Sequence, residues 1–291
     1  MGITHKSGSN VNDTVFRKLF SDKARAIELC NALEGTNYPA DTEAILCTLD
    51  DSLLKRYNDL AIAIENKLIV FSEHQSSINP NMPLRLLSYA TDTYYTWFIE
   101  MKEIYKEKIF KIPTPKFYVL YNGKKPLKQD MLRLSDAFEN KPDNFSLELE
   151  VKVVNVNFGS DCNALELSPS LQGYAYLIEL IRHYQGKGSS RDKAISLAID
   201  QCINEDVLAE FLKENYAEVA KMFAREYRYE DELAARMEEM EERGMEKGME
   251  KGMEKGMEKG MEKGKIELIN ELKELLNKGF DLSDALKQVS V

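Results

Sequence analysis

Residues 68–85 read LIVFSEHQSSINPNMPLR, an apolar run that ends in Glu73, His74 and Gln75 and passes at once into a turn and a proline-started helix. A short run this rich in Ile and Val is the pattern of a strand bound for the core. Upstream, DLAIAIE (59–65) has the same composition, and Asn66 and Lys67 separate the two segments, so together they read as a hairpin. With the turn centred on Asn66, opposed residue numbers sum to 132, which sets Asp59 across from Glu73. Strand side chains alternate, so Gln75 falls on the face of Glu73, and His74 on the other. A slip of one residue breaks this convergence.

The helix that follows, NPNMPLRLLSYATDTYYTWFIEMKEIY (79–105), has Asn81 as N-cap, Pro83 in its first turn and an expected inner face of Leu84, Leu87, Thr91, Tyr94 and Phe98. Tyr94, Tyr95, Trp97 and Phe98 have the spacing of a core cluster, with base stacking as the alternative. Before the hairpin, NDTVFRKLF (12–20) forms a helix burying Phe16, Leu19 and Phe20, with Asp13 placed as its N-cap. SDKARAIELCNALEG (21–35) forms a second, capped by Ser21 or Asp22 and stopped at Gly35, and EAILCTL (43–49) is a strand. After the long helix, KFYVLYNGK (116–124) is a strand ending in an Asn-Gly turn. FSLELEVKVV (145–154) alternates as a half-buried strand with Phe145, Leu147, Leu149, Val151 and Val153 inside. From Ser168 onward helices dominate. The order describes an α/β fold, a mixed sheet flanked by helices, with a helical C-terminal extension.

The 291 residues and 43% hydrophobic content suit one sizeable core plus an appendage. No run is long and apolar enough for a membrane span, and the polar start MGITHKSGSN lacks a secretory signal, so the expectation is a cytoplasmic protein without a membrane partner. Cys30, Cys47, Cys162 and Cys202 stand apart, as buried reduced thiols do, rather than in the close pairs of zinc or redox motifs. The net charge is −10, but residues 1–190 carry 22 basic and 24 acidic side chains while 191–291 carry 17 and 25. Within 101–133 nine basic residues face three acidic ones. Such a segment attracts a phosphate backbone or is simply a solvated lysine-rich face.

Residues 244–263 are five copies of GMEK. Four residues advance 400° around a helix, so each Met or Gly row drifts by about 40° per copy and no face stays apolar. Each glycine costs about 1 kcal/mol relative to alanine in a helix. The repeat therefore reads as a marginal helix or linker, with self-association as the sharper alternative. KIELINELKELLNKGFDLSDALKQVSV (265–291) divides into two amphipathic helices at Gly279, with Asp281 or Ser283 capping the second.

Two carboxylates at cross-strand distance repel unless a cation or proton lies between them. Hard oxygen ligands at an open site suit magnesium, and the chemistry that follows is phosphodiester hydrolysis. At these residues a family resemblance becomes specific. NDLAIAI followed by FSEHQSSINPNMPLRLLSY resembles the signature of the recombination-promoting nucleases, also labelled transposase-like, a branch of the PD-(D/E)XK nucleases. The likeness spans roughly residues 11–230, including NDTVFRKLFSD, and the charged glycine repeat is similar to tails in that family.

The resemblance implies a PD-(D/E)XK-like catalytic domain over 11–190, followed by a helical extension over 191–243, the repeat over 244–264 and terminal helices over 265–291. It makes Asp59 and Glu73 ligands of Mg2+ or Mn2+, with the His74 backbone carbonyl as a third. Gln75 takes the place where the superfamily pattern has lysine. An amide orients a water but carries no charge. Asp13, Arg85 and Tyr89 are accessory candidates: Asp13 as an extra acid, Arg85 and Tyr89 as a phosphate clamp, a brace for Gln75 or a plain surface pair. Lys102, Lys106, Lys108, Lys111, Lys124 and Lys125 are the candidate DNA contacts. The expected function is a metal-dependent DNA endonuclease that promotes recombination or acts against foreign DNA, oligomeric through its C-terminal helices. The alternative is a nuclease-derived binding or assembly protein.

Overall fold

The structure is a computed structural model and describes residues 14–47, 60–75, 78–127, 129–140, 144–279 and 281–289. Two short helices open the fold, α1 (Val15–Phe20) and α2 (Lys23–Glu34). Thr14, not Asp13, is the N-cap of α1, its hydroxyl accepting from the Arg17 amide at 3.3 Å; Asp13 lies outside the described residues. Asp22 caps α2 in the same way, 3.0 Å from the Arg25 amide, and Gly35 ends it at φ 64, the left-handed conformation that glycine adopts without a Cβ clash.

The strands β1 (Ala44–Cys47), β2 (Leu60–Ile64), β3 (Lys67–Gln75), β4 (Thr114–Tyr121), β5 (Met131–Arg133) and β6 (Glu150–Asn155) form one mixed sheet in the order β1-β2-β3-β4-β6-β5. The pairs β3–β4 and β4–β6 are parallel and the others antiparallel. The helix α3 (Met82–Trp97) connects β3 to its parallel neighbour β4. The protein is thus mixed α/β, with helices against both faces of the sheet.

The hairpin register departs from the sequence expectation. Ile64 pairs with Lys67 and Leu60 with Phe71, so opposed numbers sum to 131, and the turn is the two-residue loop Glu65–Asn66. Glu65 takes φ 50, the positive value that tight two-residue hairpins require. All of LAIAI is buried, so both faces of β2 are apolar and hydrophobic alternation carries no register information. The turn decides instead.

Ala61 and Ala63 of β2 share a core with Phe117, Val119 and Tyr121 of β4, Val151 and Val153 of β6, and Met82, Leu86, Tyr89, Ala90 and Tyr94 of α3. The inner face of α3 is therefore Met82, Leu86, Tyr89, Ala90, Thr93 and Tyr94; Leu84 and Thr91 are exposed, contrary to the expected stripe. Thr93 is accommodated on this buried face by its hydroxyl, which donates to the Tyr89 carbonyl at 2.8 Å. The helix stops at Trp97, short of Tyr105. Tyr94 and the half-buried Phe98 pair their rings at 6.3 Å, whereas Tyr95 and Trp97 are exposed.

On the opposite face α2 covers the sheet. The Tyr118 hydroxyl donates to Glu34, and Lys67 reaches the same carboxylate at 3.5 Å. The segment 145–154 is a strand only from Glu150. Phe145 and Leu147 are 40% and 49% exposed, and the short β5, which no pattern announced, pairs with β6 through Leu132–Val151.

Beyond the sheet come α4 (Asn163–Leu167), α5 (Pro169–Gly186), α6 (Arg191–Asn204) and α7 (Ala209–Asn277). Glu28 of α2 accepts hydrogen bonds from the Ser168 hydroxyl at 2.5 Å, the Ser170 amide at 2.9 Å and the Ser170 hydroxyl at 3.2 Å. A carboxylate at the positive end of α5 thereby ties α5 to α2. Phe16 meets Tyr174 edge-on at 5.5 Å, and the Val15 amide donates to Glu226 at 3.1 Å.

The chain forms two compact units, 1–226 and 227–291. In the second, residues 244–263 are helical, all five repeat methionines are 63–73% exposed, and a Cβ at any repeat glycine would meet nothing within 4 Å. Gly279 (φ 90) separates this helix from α8 (Leu282–Val289), where the Asp284 amide donates to Asp281 at 2.9 Å.

Gly173 of α5 lies against the turn that precedes α7. A Cβ there would lie 2.8 Å from Leu208 Cγ and 3.2 Å from Val207 Cγ1, against a turn in which Leu208 holds φ 50. Gly173→Ala is expected to destabilise the first unit by about 1–3 kcal/mol, an overpacking cost. Urea denaturation followed by tyrosine and tryptophan fluorescence measures it, with an unchanged slope and a lower midpoint.

Candidate active site

Three parallel strands finish in one row: Gln75 of β3 stands beside Tyr121 of β4, and Tyr121 beside Asn155 of β6. In open α/β sheets the carboxyl ends of parallel strands are where loops leave the sheet and ligands bind. The motif singled out in the sequence lies at this end.

The ladder is irregular there. Ser72 pairs with Val119 and Gln75 with Tyr121, three residues on β3 against two on β4, so Glu73 and His74 together stand opposite Leu120. This is a β-bulge, which leaves one residue out of the ladder and re-aims the strand. It corrects the expectation that simple alternation relates Glu73, His74 and Gln75: an unbroken ladder would put His74 beside Tyr121, and the bulge puts Gln75 there instead. The register that set Asp59 across from Glu73 summed to 132, whereas the described ladder sums to 131 and ends at Leu60–Phe71. Asp59 itself lies outside the described residues. Glu73, His74 and Gln75 are placed by their backbone.

Of the accessory candidates, Tyr89 is fully buried, its hydroxyl 3.5 Å from the Cys47 carbonyl, so it ties α3 to β1 rather than meeting a phosphate or forming a surface pair. Arg85 is half-buried on α3, with Nη1 3.3 Å from the Met82 sulfur.

The lysine candidates separate. Lys102 pairs with Glu100 and Lys106 with Glu103, each at 2.5 Å, so these two charges are compensated locally. The hydrogen bond from Lys102 holds the Glu100 carboxyl below its ordinary range and raises the lysine correspondingly. Lys108 and Lys111 are exposed. Lys124 and Lys125 follow β4 directly and line a cleft of about 510 Å³ with Gly123, Asn155, Asn157, Glu179, Arg182 and His183.

This cleft opens where β4 and β6 end, so it adjoins the row that Gln75 completes. Sequence reading missed Asn155, Asn157 and Arg182. The Asn-Gly pair after β4 was legible only as a turn, and Arg182 looked like any polar residue on a helix.

Three of the four cysteines are buried. Burial pushes the Cys47 thiol up to about 11 and the Cys202 thiol up to about 12, and raises Cys30 further; Cys162 is half-buried. A raised thiol carries less thiolate at neutral pH and is a poorer nucleophile. Iodoacetamide at pH 7.5 is expected to alkylate Cys162 well before the buried Cys30, Cys47 or Cys202, with the native-state rates of Cys47 and Cys202 rising steadily with pH and levelling off only at about 11 and about 12. Peptide mass spectrometry over time reads the order.

Among the described residues no three His, Cys, Asp or Glu side chains group at metal-binding spacing, and no helix is long and apolar enough to cross a membrane. Compared with protein families, curated proteins and solved structures, the chain has no match.

Proposed function

We propose that this protein is a metal-dependent DNA endonuclease with a PD-(D/E)XK-like catalytic fold, hydrolysing phosphodiester bonds in recombination or in defence against foreign DNA. The observation that supports it best is the bulge at Glu73–His74, at the carboxyl end of a strand whose parallel neighbours open onto a cationic cleft. A bulge at a strand end is a common device for turning a side chain or carbonyl out of the ladder and toward a ligand.

The donor set fits Mg2+ or Mn2+: two carboxylates, Asp59 and Glu73, and the His74 carbonyl are all hard oxygens. The register shift in the β3–β4 ladder, between Ser72 and Gln75, falls on the part of this set that β3 carries, which supports the fit. When bound, the ion supplies Lewis-acid stabilisation of charge at phosphorus and a more acidic water. Gln75 would orient the attacking water, whose O–H would donate to the amide Oε1 with no change of charge on the side chain. Arg85 holds a non-bridging phosphate oxygen, and the lysines keep the backbone in place.

Purified protein is expected to nick supercoiled plasmid in Mg2+ or Mn2+, with Asp59→Ala and Glu73→Ala each reducing the rate on the order of 100-fold or more. Glu73→Ala should also remove Mn2+ binding in calorimetry. An intact plasmid with both ions, or equal rates for wild type and Asp59→Ala, overturns the reading.

A second reading, a nuclease-derived assembly protein, is favoured by one observation in the second unit: Ile266, Leu268, Ile269 and Leu276 are all 41–53% exposed on its helix. A helix so apolar on its surface is an association face by composition. Light scattering is expected to give an oligomer for the full chain and a smaller species after deletion of 244–291. Identical masses dispose of tail-mediated assembly.

A further inference from the structure

The cleft beside the strand ends is framed by hydrogen bonds that fix a guanidinium between two loops. Arg182 of α5 donates through Nη1 to Asn157 Oδ1 at 3.0 Å and through Nη2 to the Asn122 carbonyl. Asn157 in turn donates through Nδ2 to the Gly123 carbonyl at 3.0 Å and to Asn155 Oδ1 at 2.8 Å. The loop after β4 is held a second time by the Tyr121 hydroxyl, which donates to the Lys125 carbonyl at 2.6 Å. The loop after β6 is held by the Val156 amide, 2.7 Å from the Tyr121 carbonyl, and by the Ser160 hydroxyl on the Asn155 carbonyl at 3.0 Å.

Lys124, Lys125 and Arg182 therefore sit on a braced frame, with Glu179 the one carboxylate among the described residues lining the cleft and His183 also in the lining. Arginine has five N–H donors in a rigid fork, and the two internal bonds set its orientation while further donors stay available. Three cations against one anion, in a chain whose net charge is −10, is a local reversal of sign. Such a reversal, pre-organised and concave, suits an oxyanion with several acceptor oxygens.

We propose that this cleft is a phosphodiester-binding subsite that holds a nucleic-acid strand one or two phosphates away from the Glu73–Gln75 segment, with Arg182 as the oriented contact and Lys124 and Lys125 as the flanking charges. The strand's path follows the row of strand ends from Gln75 past Tyr121 to Asn155. The identity of the ligand rests on the nuclease reading; the anion chemistry rests on the cleft alone. The subsite, rather than the lysines of 102–111, carries the larger share of backbone affinity, because Lys102 and Lys106 already pair with Glu100 and Glu103.

The test is fluorescence anisotropy of the full chain with a labelled 20-nucleotide duplex and the corresponding single strand, in EDTA so that no cleavage occurs, across a range of salt. Arg182→Ala is expected to weaken binding about tenfold and to lower the slope of log affinity against log salt by about one. Lys124→Gln/Lys125→Gln, at exposed positions that leave the frame intact, should lower that slope by about two. Arg182→Lys should restore the slope while keeping a severalfold loss, since it returns the charge without the fork.

Lys108→Gln/Lys111→Gln makes the same charge change in the other segment. Equal losses from the two lysine pairs reduce the effect to net charge and overturn the proposal, as does wild-type affinity in both Arg182→Ala and the cleft pair, or no binding by the wild type. Inorganic pyrophosphate competes as the alternative source of phosphate. The oligonucleotide should bind at least about 100-fold more tightly, and comparable affinities reassign the cleft to a small phosphate and overturn the assignment. Plasmid nicking run alongside separates the two ideas. Cleavage with unaltered binding in the cleft variants rejects the subsite and spares the nuclease, whereas weakened binding in those variants with no cleavage by any protein rejects the nuclease and spares the subsite.

Discussion

The pairing of β2 with β3 is the constraint on which the rest of the sheet depends. Every residue of β2 is buried, with Ala61 and Ala63 toward α3 and Leu60, Ile62 and Ile64 toward the other helical layer. A strand apolar on both faces must be covered on both, which calls for helices on either side of the sheet. Those helices are α3 on one face and α2 on the other, the second fastened through Glu34 to both Lys67 and Tyr118. Fully burying each of the large side chains in these layers contributes about 1.5–3 kcal/mol, so the hairpin is the centre of the stabilising area.

Burial on both faces also has a cost in information. A strand with one wet face would lose its core on slipping by one residue, and so would declare its register. LAIAI keeps an apolar side chain inward in either register, and only the two-residue turn with Glu65 at positive φ selects the pairing of Ile64 with Lys67. The bulge beyond Ser72 then changes the phase again before the motif is reached. Period-two counting from the turn to Glu73 therefore fails twice, by one residue each time, for two separate reasons.

Charge shows the same contrast between sum and place. The acidic balance of the chain argues against attraction to polyanions, yet the loops after β4 and β6 and the inner edge of α5 gather Lys124, Lys125 and Arg182 around one concavity. What brings them together is Asn157, which bonds to both loops and to the guanidinium. In the second unit the opposite holds. The GMEK rows drift around the helix as their four-residue period requires, and the exposed methionines show that no single face closes into a core.

The sequence by itself determined most element types, a start of α2 capped at Ser21 or Asp22 and its stop at Gly35, the burial of Phe16, Leu19 and Phe20, the break at Gly279 and the polar strand end at Glu73–Gln75, because each of these is written in residues within a few positions of one another. The hairpin register was set locally by its two-residue turn, whereas the inner face of α3, the short β5, the bulge and the Arg182 cleft were decided only by tertiary structure. The contacts involved span distant parts of the chain: Tyr89 of α3 reaches the Cys47 carbonyl of β1, β5 pairs with β6, and Arg182 finds its acceptors 25 and 60 residues away. Local preference carries no record of such distances, and packing and hydrogen-bond satisfaction supply it.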